Sequence, residues 1–262
     1  MIGLFLGENL LPFEILKNLK KRKKNYFIID LTKKKKFQKD KNSHQINIGK
    51  FGEIIKLIHK KKCKKVIFAG SIKKPVFSKL KLDLKGIFYI PRIIKAAKIG
   101  DAAILKELIK ILDENKIKVI SLNTFNKELT LKKGCYTKIK PSILDKIIIK
   151  KGITELKKLN PYDHVQAIVV NKSRIVSYEK KNGTKNMLGK IKNSNQSNIL
   201  IKMPKSKQDL RVDLPTIGLN TLKDCKKASI KGIVVKANQN IFLNKYESLK
   251  FANINKIFVV AL

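Results

Sequence analysis

The chain has 262 residues, 43% of them hydrophobic, which is enough for one large or two medium domains with buried cores and too apolar for a disordered polymer. Lys and Arg number 60 against 19 Asp and Glu, a net charge of +41, yet Arg occurs only at positions 22, 92, 174 and 211 and there is no Trp. Arg forks and stacking aromatics mark a dedicated nucleic-acid surface, and Lys enriched together with Ile and Asn is the imprint of an AT-rich genome, so the charge is read as attraction to anionic surfaces, the cytoplasmic leaflet included, and a basic nucleic-acid binder is kept only as a rival. In chain order, IGLFL is a short apolar run suited to a buried strand, GENLLP a turn, and Pro12 opens a helix to about Lys20. NYFIIDLT is a second strand and GKFGEIIKLIHKKKC a helix with apolar Phe51, Ile54, Ile55 and Ile58 on one face. KKVIFAG is a third strand, PRIIKAAKIGDAAILKELIKILDENK two helices broken at Gly100, and IKVISL a further strand. Strands alternating with helices predict a mostly parallel, Rossmann-like sheet over residues 1–128.

Residues 129–140 are loop-rich and read as a linker, and residues 141–262 as a second α/β domain with a mixed sheet. Its predicted elements are a helix in PSILDKIIIKKGITELKKL, a hairpin of VQAIVVN and SRIVSYE across Asn171 and Lys172, and a helix after NGTKNMLGKI. The strand NILIKM, a helix from about Thr221, the strands GIVVKA and NIFLN, a helix from Lys245 and the closing strand KIFVVAL complete it. No run of about 18 apolar residues suggests a membrane span. The first residues lack a basic leader region and carry Glu8, so they read as strand and turn. Cys63, Cys135 and Cys225 show no metal or redox spacing, which fits a reducing cytosol, and His44, His59 and His164 stand apart from one another.

Four places could carry chemistry. Gly7 lies between a strand and a helix, where backbone N–H groups can meet a phosphate, and Asp30 ends the second strand, but one glycine stands where a dinucleotide fingerprint needs three. Gly70 and Ser71 end the third strand, at the carboxyl edge where parallel sheets bind ligands. Asp101 begins a helix, where capping and ligand contact are both open. The densest stretch is KMPKSKQDLRVDLPTIG, with Lys202, Lys205, Lys207, Gln208, Asp209, Arg211 and Asp213. As an extended strand closed by Pro215, LRVDL would put Asp209, Arg211 and Asp213 on one polar face and Leu210, Val212 and Leu214 on the core face. Two carboxylates and a guanidinium on one face suit phosphoryl transfer; an Asp–Arg pair on a solvated edge is the plainer alternative.

These residues resemble a known family. GLFLGENLLP, FGEI, FAGSIKKPVFSKLKLDLKG, GDAAILKEL, NGTKNML and above all KMPKSKQDLRVDLPTIG are similar to the UDP-2,3-diacylglucosamine pyrophosphatases of the LpxI family, nearly end to end. The resemblance implies two α/β domains with the ligand cleft between them. It implies a cytoplasmic enzyme peripheral to the inner membrane, leaving room for a homodimer and using magnesium or another divalent cation. It implies hydrolysis of UDP-2,3-diacylglucosamine to UMP and 2,3-diacylglucosamine 1-phosphate by water attack on the β-phosphorus. Asp213 is then the catalytic acid and, with Glu179, a metal ligand. Gly7, Gly70, Ser71, Asp101, Gly183, Thr184, Lys202, Lys205, Gln208, Asp209 and Arg211 are then the expected substrate contacts. The chain departs from the family's Glu-Gly-Thr-Asp motif at Asn182 and Lys185, which keeps a weak or inactive lipid-nucleotide binder as a second reading.

Overall fold

The structure is a computed structural model that describes every residue except 73, 160–164, 173, 192–196 and 207. His164 and Lys207 therefore lie outside the described residues. The chain divides into two units, residues 1–126 and 127–262.

In the first unit β1 (Ile2–Leu6), β2 (Tyr26–Asp30), β3 (Ser43–His44), β4 (Lys65–Ala69) and β5 (Lys118–Val119) form a five-stranded sheet in the order β3-β2-β1-β4-β5. Each pairing between neighbours is parallel, and the order reverses between β1 and β4, as in a doubly wound sheet. The crossovers are α1 (Leu11–Lys21), α2 (Phe51–Lys60) and the pair α3 (Leu84–Ile99) and α4 (Asp101–Glu114). Pro12 sits in the first turn of α1, as its fixed φ favours. Asp83 caps α3 by accepting from Gly86 N at 2.7 Å, and its other carboxylate oxygen accepts from Glu53 N at 2.9 Å in the first turn of α2. Burial raises the Asp83 pKa, but the N–H groups of Gly86, Glu53 and Gly52 outweigh it and hold the carboxyl below its ordinary value. Arg92 clamps α3 to α4: Nε donates to Glu107 at 2.7 Å and the terminal nitrogens fork onto Glu114 at 2.9 and 2.6 Å.

In the second unit the sheet has six strands in the order β6-β13-β11-β9-β7-β8, from β6 (Gly134–Cys135), β7 (Ala167–Asn171), β8 (Arg174–Tyr178), β9 (Asn198–Lys202), β11 (Ile230–Val235) and β13 (Phe258–Ala261). The three central strands β13, β11 and β9 are parallel; β6 and β7 run against them and β8, the other arm of the hairpin, runs with them, so the sheet is mixed. A short parallel pair, β10 (Thr216–Ile217) and β12 (Ile241–Phe242), lies apart from it. One face of the large sheet is covered by α5 (Ile143–Leu159), whose Ile148, Ile149 and Leu156 pack on Ile168, Val170, Ile199 and Ile201. A capping box starts α5: Ser142 N donates to Asp145 Oδ2, Asp145 N donates to Ser142 Oγ, and the same carboxylate pairs with Lys231 of β11 at 2.6 Å. The other face is covered by α6 (Gly183–Gly189), α7 (Leu219–Lys227) and α8 (Lys245–Ile254), through Met187, Leu188, Leu222, Cys225 and Ala252.

Four expectations are corrected. The helix expected from Pro91 begins at Leu84, capped by Asp83, and carries Pro91 inside it. The helix expected after NGTKNMLGKI is that stretch itself, because Thr184, Met187 and Leu188 form its buried stripe. LRVDL is a turn, not a strand: Val212 N and Asp213 N both donate to Asp209 O, at 3.1 and 3.0 Å. Leu210 and Val212 are accordingly half-buried, and only Leu214 reaches the core. Pro215 closes no strand; it precedes β10, and its carbonyl accepts from Ile241 N. Residues 129–140 belong to the second unit, with Leu129 and Leu131 buried and β6 paired to β13.

Gly232 and Phe258 are register partners, and a Cβ built on Gly232 would stand 2.0 Å from the Phe258 ring. Gly232→Ala is therefore expected to cost roughly 1–3 kcal/mol by overpacking. Urea unfolding followed by circular dichroism checks this.

Candidate functional site

The candidate site is built at the carboxyl end of β9 and β11. Because β7 runs against β9 and β8 against β7, the end of β8 and the start of β7 arrive at that same edge. Alternation along β9 puts Lys202 on the face of Leu200, beneath α6 and α7, so the side chain enters the core instead of solvent. Lys202 is only 8% exposed. Its Nζ donates to Thr184 Oγ1 at 2.6 Å, and the Thr184 hydroxyl donates to Glu179 Oε1 at 2.7 Å, a relay that ends on a carboxylate only 6% exposed. The ammonium lies 3.8 Å from Glu179 Oε1. Glu179 Oε2 accepts from Gln166 N, whose carbonyl in turn accepts from Met203 N just past β9. Burial pushes the Lys202 pKa below the ordinary lysine value, and the charges of Glu179 and then Asp213 pull it partly back.

Asn240 completes this edge. Its Nδ2 donates to the Lys202 carbonyl at 3.0 Å and its Oδ1 accepts from Lys236 N at 2.9 Å, tying the ends of β9 and β11 together. Neither Asn240 nor Gln166 was singled out from the sequence. The one hint was the polar NQN turn after GIVVKA, a pattern most loops share.

Asp213 follows on the turn. It is half-buried, and its charge acts on Lys202. Arg211, expected beside Asp213, instead forks onto Asp209: Nε to Oδ1 at 3.0 Å and a terminal nitrogen to Oδ2 at 2.7 Å. The reason is the turn itself. It brings Arg211 N to Asp209 Oδ1 at 3.0 Å and folds the guanidinium back over the same carboxylate. Gln208 Oε1 accepts from Lys205 N and holds the loop before it. The Gly183 N–H donates to Lys180 O, and the Thr184 hydroxyl belongs to the relay. Lys185 is exposed in the first turn of α6.

The first unit treats its expected donors differently. Gly7 N donates to Ala69 O, Glu8 N to Ser71 O and Ser71 N to Glu8 O, so the segments after β1 and β4 are zipped together at the reversal of strand order. A Cβ on Gly7 would lie 2.5 Å from Ser71 O, and one on Gly70, at φ +86°, 2.5 Å from Glu8 O, so both positions need glycine for this approach. The backbone donors of Gly7 and Ser71 are thus engaged within the protein. Asp30 shapes its own loop, accepting from Thr32 N, Thr32 Oγ1 and Phe37 N. A cavity of about 650 Å³ opens next to it, bordered by Thr32, Lys35, Gln45, Asn47 and Lys81. Asp101 is exposed at the start of α4, where Gly100 holds the cap position and the Asp side chain makes no capping bond.

The donor set around Glu179 does not fit a divalent cation held by Glu179 and Asp213. Both Glu179 oxygens accept protein N–H or O–H bonds, and the neighbouring ammonium repels a cation. No group of three or more His, Cys, Asp or Glu side chains placed to hold a metal occurs among the described residues. What the arrangement offers is a desolvated ammonium with the charge of one half-buried carboxylate acting on it.

Two family models match the chain: the LpxI N-terminal domain over residues 1–129 and the LpxI C-terminal domain over residues 132–260. The chain is also similar to the UDP-2,3-diacylglucosamine pyrophosphatase LpxI of Caulobacter vibrioides, 27% identical over 269 aligned positions that cover 99% of this chain and 96% of that protein.

Asn240→Ala removes the side-chain donor to the buried Lys202 carbonyl and the acceptor of the Lys236 N–H and is expected to cost about 1–3 kcal/mol, measurable by urea unfolding. Equilibrium dialysis of the protein alone with magnesium is expected to show no tightly retained ion; one tightly bound ion per chain would contradict the reading of Glu179.

Proposed function

Because the chain belongs to the LpxI family, whose domain models cover it almost end to end, we propose that it hydrolyses the pyrophosphate of UDP-2,3-diacylglucosamine, releasing UMP and 2,3-diacylglucosamine 1-phosphate in lipid A synthesis. The observation that carries the proposal on the structural side is the Lys202 ammonium, buried at a sheet's carboxyl edge with the charge of Asp213 acting on it. Asp213 orients and takes a proton from a water. The water oxygen bonds the β-phosphorus, the bond from that phosphorus to the bridging oxygen breaks, and UMP leaves with the electron pair. Negative charge spreads over the phosphate oxygens during this step, and a preorganised cation in a desolvated place is worth far more there than in water. Lys202 supplies it. Its orientation is fixed beforehand by Thr184 and Glu179, so little reorganisation is left for the reaction. Lys205 and exposed Lys185 extend the positive field outward, where the uridylyl phosphate would lie. A substrate with two acyl chains also brings the enzyme to a membrane surface, and no helix among the described residues is long and apolar enough to cross one.

Asp213→Asn is expected to abolish UMP release while leaving the circular dichroism spectrum unchanged; near-normal turnover would overturn its role. Lys202→Met is expected to lower kcat by roughly 10²–10³, the usual cost of removing one transition-state donor.

The pH dependence follows from burial. The charged form of Lys202 is the active one, and its pKa lies below the ordinary 10.5. kcat/KM should therefore fall with rising pH through an alkaline limb below that value. Lys202→Arg, which keeps its proton, should move the limb upward even at a reduced rate.

A further inference from the structure

Helix α3 carries two apolar stripes. Gly86, Tyr89, Ile93 and Ala96 form one and are buried in the first unit. Leu84, Ile87, Phe88, Pro91 and Ile94 form the other, at the i, i+3, i+4, i+7, i+10 spacing of a continuous helical face, and all are exposed. Leu84 is 86% exposed, Phe88 70% and Ile87 59%. Ile99, its last residue, adds 76%, and Val76, eight residues ahead of the helix, is 60% exposed. A helix apolar on both sides normally belongs inside a core, so an open second side marks an interaction surface.

The charge around this face selects the occupant. The helix contains no acid; Lys95 and Lys98 continue the exposed stripe past Ile94, and Lys79 and Lys81 stand exposed before it. Arg92 is bound to Glu107 and Glu114 of α4. The nearest acids in sequence are Asp83, directly before Leu84, whose carboxylate is engaged by the N–H groups of Gly86 and Glu53, and Asp101, beyond Ile99 at the start of α4. A second copy of the chain would bring lysines against lysines, which opposes self-association. Apolar side chains flanked at both ends by Lys are instead the make-up of a helix lying in the plane of an anionic membrane.

We propose that α3 is the membrane-docking element, seating Leu84, Ile87, Phe88 and Ile94 among lipid chains while Lys79, Lys81, Lys95 and Lys98 meet anionic headgroups. Its 16 residues span about 24 Å, long enough to lie along the interface. The proposal names the surface for the membrane contact inferred above and rests on that reading, but its test needs no substrate.

The chain contains no Trp, so Phe88→Trp creates a single reporter. Flotation and fluorescence are measured with vesicles of phosphatidylethanolamine plus phosphatidylglycerol, and with phosphatidylcholine vesicles as the uncharged control. The expected results are binding to the anionic vesicles, a blue shift of the reporter on binding, and about a tenfold or greater loss of partitioning for Ile87→Gln with Phe88→Gln. That double variant should keep the wild-type melting temperature and hydrolyse detergent-dispersed substrate at the wild-type rate. Absence of vesicle binding, binding with the reporter still in water, or equal binding by the double variant would overturn the proposal. So would a dimer that the double variant dissolves in sedimentation, or unchanged vesicle binding with a raised KM, which would assign the stripe to a second copy or to the substrate's acyl chains. Failure of the hydrolysis proposal would appear separately, as absent UMP release by the wild type in detergent.

Discussion

Burying the Lys202 ammonium is the constraint around which the second unit's edge is organised. An unpaired charge cannot be left in a core, so the fold must bring it a hydroxyl and a carboxylate. Thr184 comes from the first turn of α6 and Glu179 from the end of β8, and both depend on the β7–β8 hairpin running back along β9. Asn240 fixes the carbonyl of the same lysine, so backbone and side chain are held from different elements. The result is a cation that is poised but costly, the combination expected where stability is traded for function.

The fold was legible where periodicity is strong. IGLFL, NYFIIDLT, KKVIFAG and the helix after Gly100 behave as their patterns require, because local preference and burial agree, whereas the helix read from Pro91 begins two turns earlier, at Leu84, where Asp83 supplies the cap. The two-residue strands β3, β6 and β10 left no such trace, since two residues carry no period and are fixed by tertiary pairing alone. LRVDL misled for a definite reason. Alternating polar and apolar residues are strand-like over five positions, but Asp209 satisfies its neighbours' N–H groups locally and closes a turn first.

The candidate site was legible in composition but not in connectivity. Asp213, Lys202, Glu179 and Thr184 were named from the sequence, yet their division of labour was not. Glu179 serves the lysine and has both oxygens engaged, and Arg211 serves Asp209. Alternation in NILIK puts Lys202 on the same sheet face as Leu200, whereas the identity of its partners depends on which strand ends share an edge. The sealed contact between Gly7, Glu8, Ala69 and Ser71 was the least visible, because hydrogen bonds between backbone groups leave no signature in side-chain chemistry.

Asp83 and Arg92 make α3 a rigid blade and not a tethered flap. One carboxylate grips its first turn together with that of α2, and one guanidinium fastens its middle to the middle and the last residue of the neighbouring α4. A surface braced in this way loses little conformational freedom when it meets another phase, so more of its greasy contact area is left to count toward adhesion.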